Sequence, residues 1–551
     1  MPTSLLIFLE TSPVPADETH FSITVLIALL LVASGVAMAT KWVRLPYTLA
    51  LVVVGLVISP MHFLPVVHVS PELILLIFLP ALLFEAAWNL KLQHLRENLL
   101  PILTLATVGV GLSVGVIGVI LHYGIGLGWS SALIFGSIIS ATDPVSVLAL
   151  FKKLGAPKRL TTIIEGESLF NDGTAVVVFR ILLGIVAGTT AFNSTGQVIF
   201  SSVREFCIVV FGGLAVGAII GVTASKLTSY FDDHLLEITL TTIVAYGSFL
   251  LAEEMHVSPV IAVLVAGLIL GNYGRQKGMS PTTQVAVNSF WEYAAFVVNS
   301  LVFLLIGLEI QVTALSENLG AIAWAVAAML GARIITVYGL MGLMSLPNLR
   351  SEPISLRWQH IFFWGGLRGS LSIALVLSLP VTLPGRQTLV TMVFGAVIFS
   401  LLVQGLTISP LLRWLKISTP QPELQAYEAA RGGLLAEIAA VAELDQLRGQ
   451  GLVTERVYQA IQPELEHRRE SLSRRLSQFD LTDQEVDIEL KNRMLRHLIA
   501  VKKARLAGLL HEGLLSEETY QELIQTLDAD LTQSPGEFAS SPAQMVSPGS
   551  E

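Results

Sequence analysis

A chain of 551 residues with 53% apolar and only 14% charged residues lies far from the soluble balance of roughly 25% charged, which excludes a water-soluble globular fold and selects a membrane protein. The formal charge of -9 says nothing about partners until it is divided: up to Lys416 there are twenty Lys/Arg and twenty Asp/Glu, and the remaining thirteen and twenty-two fall in the tail. One cysteine, Cys207, excludes an intramolecular disulfide, and its apolar setting leads us to expect a small core residue.

The first twenty residues have a short apolar run with no basic residue before it and acidic residues after it, so they are expected as an extracytoplasmic leader (1–20) rather than a cleaved signal. Apolar runs approaching a bilayer span of about 20 residues then recur. Thirteen are expected, at 22–40, 47–65, 71–88, 99–123, 130–151, 162–189, 204–225, 234–252, 257–273, 288–310, 319–345, 357–379 and 387–415. Alternate loops carry the cations: Lys41/Arg44, Lys91/Arg96, Lys152/Lys153/Lys158/Arg159, Lys226, Arg275/Lys277, Arg350/Arg357 and Arg413/Lys416. Because cations gather in cytoplasmic loops, this alternation predicts an odd number of spans, the N-terminus outside and the tail inside.

Charges inside apolar spans are costly and point to function. The fifth span contains Asp143 in "SATDPVS". Pro144 removes a backbone donor and disfavours helix at Asp143, so the span is expected to break beside its own carboxylate. A broken intramembrane helix needs its freed backbone groups faced by protein, water or ions. Thr142 and Asp143 could supply a cation site there, and a plain proline kink is the blander alternative. The sixth span opens on Glu165, Glu167 and "SLFNDG" and carries Arg180 deeper. Ser168 and Asp172, four apart, share a helix face with Asn171 one step round; oxygen donors of this kind suit a hard cation such as Na⁺. A turn at Asn171-Asp172-Gly173 is the alternative. The twelfth span holds Arg368 among Gly365, Gly366 and Gly369. Its permanent charge demands an acid, and Glu167 or Glu165 is the expected partner. Glu85, Glu309 and Arg333 lie nearer the predicted ends, where an interfacial role is equally open. Two interrupted spans, one in each half, are the mark of a transporter with inverted repeats.

After Lys416 the pattern becomes amphipathic, as in "LLAEIAAVAELDQL", predicting a helical cytosolic tail (417–531), and the Ser/Pro/Gly-rich end (532–551) is expected to be disordered. The basic cluster "HRRESLSRR" reads as a solvated helix face rather than a lipid contact. No nucleic-acid partner and no cofactor are expected; the tail's partner is left open.

"ATDPVSV", "EGESLFNDGTAVVVF" and "GGLRGSLSIAL", in that order, closely resemble the signature regions of the NhaP-type prokaryotic Na⁺/H⁺ antiporters, relatives of the animal sodium/proton exchangers and the plant salt-tolerance exchangers. The resemblance covers about residues 20–416. It implies an all-α polytopic membrane domain (21–416) of about thirteen helices with inverted repeats and two broken crossing helices, a homodimer, and six core helices that move against a dimerisation domain. It also implies that Asp172 binds Na⁺ or H⁺ alternately and that Asp143, Ser168 and the Thr142 backbone complete the ion's shell, with Glu167 contributing through water. Asn171 would be the neutral neighbour of an electroneutral exchanger, and Arg368 would pair with Glu167. Function follows as Na⁺ (or Li⁺ or K⁺) exchange for H⁺ in pH and sodium homeostasis, at a prokaryotic inner membrane. A K⁺/H⁺ antiporter or a cation channel are the alternatives. An intramembrane aspartyl protease is disfavoured because neither Asp143 nor Asp172 sits in a Gly-x-Gly-Asp setting.

Overall fold

In hydrocarbon every backbone polar group must be satisfied within the protein, and this chain meets that demand with helices. The computed structural model describes residues 16–40, 42, 46–59, 71–186, 195–230, 233–275, 278–310, 312–344, 354–417 and 422–477, with scattered positions between 502 and 524. No strand occurs among them. The chain divides into two compact units, Met1–Pro420 and Gln421–Glu551.

The first unit begins with α1 (Ala16–Ala39), so helix starts inside the stretch expected as leader, and residues 1–15 lie outside the described residues. It continues through α2 (Tyr47–Ile58), α3 (Leu73–Asn89) and α4 (Leu99–Ile125). Next comes a helix in two pieces, α5a (Trp129–Ser140) and α5b (Val145–Leu154), then the unbroken α6 (Lys158–Val186). α7 (Thr195–Leu227), α8 (His234–Glu254), α9 (Pro259–Gly274), α10 (Pro281–Glu309) and α11 (Leu319–Met344) follow. A second divided helix, α12a (Leu356–Trp364) and α12b (Ser370–Leu377), precedes α13 (Arg386–Trp414). Among the described residues, seven helices (α4, α6, α7, α8, α10, α11 and α13) are long and apolar enough to cross a bilayer, and α1, α2, α3, α5a and α9 are shorter apolar helices.

These helices pack as two groups. In one, α4 lies against α5a and α11, α6 against α5a, and α13 against α11 and α12b; in the other, α2 packs on α10, α7 and α3 on α9, and α8 on α9 and α10. The first group is made of two triples, α4–α6 and α11–α13, each with the divided helix in the middle, which is the internal repeat expected of the fold. Without a hydrophobic drive between helices in lipid, association relies on close packing over small residues. At the α2–α10 crossing a Cβ on Gly55 would stand 2.9 Å from the Gly307 Cα, so only glycine admits that approach.

Cys207 overturns its expectation: it is exposed on α7. An apolar context separates interior from surface only where the solvent is water, and a lipid-facing surface is as apolar as a core. The sequon at Asn193 lies outside the described residues.

The second unit contains an antiparallel hairpin of α14 (Pro422–Gly449) and α15 (Glu455–Ser477). Its turn is fixed by Gly451 in the left-handed region and by Arg448, which pairs with Glu455 at 3.0 Å and sits 4.3 Å above the Tyr458 ring. Along "HRRESLSRR", Arg468, Arg469 and Arg474 pair with Glu464, Glu466 and Glu470 on their own helix, which makes this a solvated, self-paired face. Residues 532–551 lie outside the described residues.

Candidate ion-binding site

The site is built where the two divided helices cross. Residues 141–144 leave helix between α5a and α5b, and residues 365–369 leave it between α12a and α12b. The two gaps run antiparallel and bond to each other. The Asp143 N–H donates to the Leu367 carbonyl at 2.8 Å, and Ser372 Oγ donates to the Ile138 carbonyl at 2.9 Å. Between them, Arg368 Nη1 donates to the carbonyls of Ser140 (2.8 Å) and Ala141 (2.9 Å). These are the orphan acceptors at the negative end of α5a, where a guanidinium is stabilising. The Arg368 N–H donates in turn to Ser400 Oγ at 2.7 Å, and Ser400 opens a π turn in α13. Glycine is required at 369 because a Cβ there would collide with the Asp143 carboxylate.

Against this crossing lies α6. Asn171-Asp172-Gly173 makes no turn; it lies in mid-helix, so the polar face of α6 reaches the gap intact. Thr142 Oγ1 and Ser168 Oγ are 3.0 Å apart, and Asn171 Nδ2 donates to the Ser140 carbonyl (2.9 Å) and to Thr142 Oγ1 (3.2 Å). Asp143 Oδ1 accepts from the Val145 N–H at 3.0 Å, so this carboxylate caps α5b. The Thr142 backbone, Asp143, Glu167 and Arg368 lie around the Asp172 carboxylate, within electrostatic range of it. Asn171 Oδ1 and Asp172 Oδ1 are both buried with no hydrogen-bond partner. Unpaired buried oxygens are costly and rare, and here two stand on consecutive residues facing the crossing.

Thus Asp172, Asp143, Ser168, Thr142 and Asn171 are brought together, and one expected contact is corrected. Glu167 pairs with Arg333 of α11, Nη1 to Oε1 at 2.7 Å, and not with Arg368. Arg333 Nε also donates to the Phe362 carbonyl near the end of α12a at 3.2 Å. Each arginine therefore serves one broken helix, Arg368 the end of α5a and Arg333 the end of α12a, and only Arg333 is placed to reach Glu167 as well. The missed residue carried a signal: Arg333 stands at the middle of α11, not at its flank, and a mid-span charge is itself a functional pointer. The carbonyls of Ser140, Ala141 and Leu367 had no signal, since every residue has one. Arg180 lies apart from the site, paired with Glu253 of α8 at 2.9 Å in exposed surroundings.

The donor set is oxygen throughout, and the described residues hold no group of three His, Cys, Asp or Glu suited to a transition metal. Such a site fits a hard cation.

Residues 18–414 match the family model described as "Sodium/hydrogen exchanger, transmembrane". The chain is 46% identical over 417 residues to the Na⁺/H⁺ antiporter ApNhaP of Aphanothece halophytica, covering 75% of this chain and 78% of the relative. It is 39% identical to the low-affinity Na⁺/H⁺ antiporter NhaS1 of Synechocystis over 95% of this chain and 99% of the relative, so that likeness extends along the tail. Among solved structures, the sodium proton antiporter MjNhaP1 of Methanocaldococcus jannaschii superposes with a TM-score of 0.61 at 20% identity, covering 72% of this chain and 99% of the other.

Proposed function

Because the chain belongs to the sodium/hydrogen exchanger family, we propose that it exchanges Na⁺ for H⁺ across a membrane by alternating access, with both ions taking turns on Asp172. The observation that carries this reading is the buried, unpartnered Oδ1 of Asp172 at the crossing of two interrupted helices. A carboxylate withdrawn from water prefers to hold a proton or a cation to standing bare. If the site crosses the membrane only when that charge is neutralised, exchange is obligatory.

Charge balance supports one ion for one ion. Asp143, Glu167 and Asp172 are three carboxylates, Arg333 and Arg368 two guanidiniums, and all are coupled through this crossing. Fully ionised, the set has one uncompensated negative charge, which a single Na⁺ or a single H⁺ removes. Asn171, neutral and anchored by its amide, adds no further charge, so the cycle is electroneutral. Asp172, Asp143, Ser168 and the Thr142 carbonyl are the proposed Na⁺ ligands, with Asn171 Oδ1 as a further oxygen. Glu167 acts through Arg333 as part of the charge balance. The group formed by α4–α6 and α11–α13 is the moving body and the remaining helices its frame, in a homodimer at the cell membrane, with the N-terminus outside and the tail inside as the loop cations indicate.

The experiment is proton movement in proteoliposomes with the potential clamped. Na⁺ added to acid-loaded vesicles should alkalinise them, clamped or not, and the apparent KM for Na⁺ should rise as pH falls because H⁺ competes for one site. Asp172→Asn should abolish this while leaving a folded protein. Retained exchange by that variant overturns the assignment, K⁺ as the better substrate changes the ion, and cation flux without proton movement makes the protein a channel.

A further inference from the structure

Where α12a begins and α13 ends, a cleft of about 520 Å³ is lined by Pro157, Ser355, Leu356, Arg357, Trp358, Lys416 and Ile417. Two cations from elements far apart in sequence converge on it, and none of the lining residues is acidic. Among the described residues neither the Arg357 guanidinium nor the Lys416 ammonium has an ion-pair partner. A third cation, Arg159, stands behind the wall, 6.0 Å from the centre of the Trp358 ring, with its Nε held by Asn98 Oδ1 at 2.9 Å. The floor is mixed: Ser355 has a hydroxyl, whereas Leu356, Trp358, Ile417 and Pro157 give apolar surface. Trp414, two residues before Lys416, is exposed, as tryptophans at headgroup level commonly are.

We propose that this cleft binds the phosphodiester headgroup of an anionic phospholipid. The two cations and the hydroxyl suit a phosphate oxygen cluster. The volume is far larger than one phosphate, and the apolar wall has no use for a free ion but matches the glycerol and upper acyl carbons of a lipid. Helix stability does not account for the cations. Arg357 sits in the first turn of α12a, the end where a positive charge is unfavourable. Lys416 occupies the left-handed position of the helix-ending motif of α13, with φ 52, the Lys416 N–H bonded to the Arg413 carbonyl and the Ile417 N–H to the Leu412 carbonyl. That position ordinarily selects glycine.

The backbone at 416 supplies the test, since Lys416→Gly removes the charge while relieving the strain. Full-length protein purified in neutral detergent is offered dioleoyl phosphatidylglycerol or dioleoyl phosphatidylcholine, and retained lipid is counted by native mass spectrometry, with inorganic phosphate as competitor. The expected result is preferential retention of the anionic lipid, weakened about fivefold by Lys416→Gly and again by Arg357→Gln, the scale of one basic residue at a lipid surface. The melting temperature of Lys416→Gly should be unchanged or higher, which separates lost binding from lost folding. Equal retention of the two lipids, or undiminished retention by both variants, overturns the proposal. Displacement of the lipid by millimolar phosphate assigns the cleft to a free anion and overturns the lipid. Binding is read without transport, so failure here leaves the exchange assignment untouched.

Discussion

Replacing Arg333 by methionine removes the charge facing Glu167 and leaves most of the packing volume. The pair is buried, with side-chain exposures of 10% for Arg333 and 2% for Glu167. Two charges about 4 Å apart attract by about 4 kcal/mol at an effective dielectric of about 20, and breaking a buried pair from one side costs roughly 3–5 kcal/mol because the survivor is stranded. On a scale of about 2 °C per kcal/mol for a large unit, the melting midpoint of the detergent-purified protein should fall by roughly 5–10 °C. Glu167→Gln in the same chain should restore most of that fall, since the stranded charge is gone. Arg368→Met should behave differently. It uncaps the Ser140 and Ala141 carbonyls, and Glu167→Gln should not rescue it. The reasoning is refuted if Arg333→Met costs less than about 1 kcal/mol, below the range for a buried pair, or if Glu167→Gln rescues the Arg368 variant and not the Arg333 variant.

Two further outcomes follow from local geometry. Gly369→Ala forces a methyl group into the Asp143 carboxylate; exchange in proteoliposomes should fall by an order of magnitude or more, the scale of misplacing a reacting group, with an overpacking cost of about 1–3 kcal/mol. Asp233 caps α8 by accepting from the Leu235 and Leu236 N–H groups, and the Leu236 and Leu235 bonds hold its carboxyl below the ordinary value of 3.8. A depressed folded value means the cap is complete above the ordinary value and is lost as pH falls through the depressed one. Hydrogen exchange at Leu235 and Leu236 should therefore quicken in acid relative to Asp233→Asn, which caps without titrating, and an identical acid response in both would count against the cap.

Much of the site could be read from the residues because its demands are local. Pro144 next to Asp143 broke α5 where backbone chemistry requires, and the 3.6-residue period put Ser168 and Asp172 on one face of α6. Apolar run length, together with loop cations, located the helices because a bilayer has fixed thickness and repels charge. The same uniformity hides what faces lipid and what faces protein, and so Cys207 was misplaced. Choice of partner was hidden for a different reason. Arg333 and Arg368 are both mid-membrane guanidiniums, and sequence holds nothing that ranks them as partners of Glu167. Helix crossing decides it: the antiparallel gaps of α5 and α12 bring Arg368 onto carbonyl oxygens, groups that every residue possesses, and leave Glu167 to the arginine of α11. Sequence determined which groups must be neutralised inside the membrane, because burying a charge has the same cost wherever it occurs. Only tertiary structure decided what neutralises each of them, because that depends on distances between helices far apart in the chain.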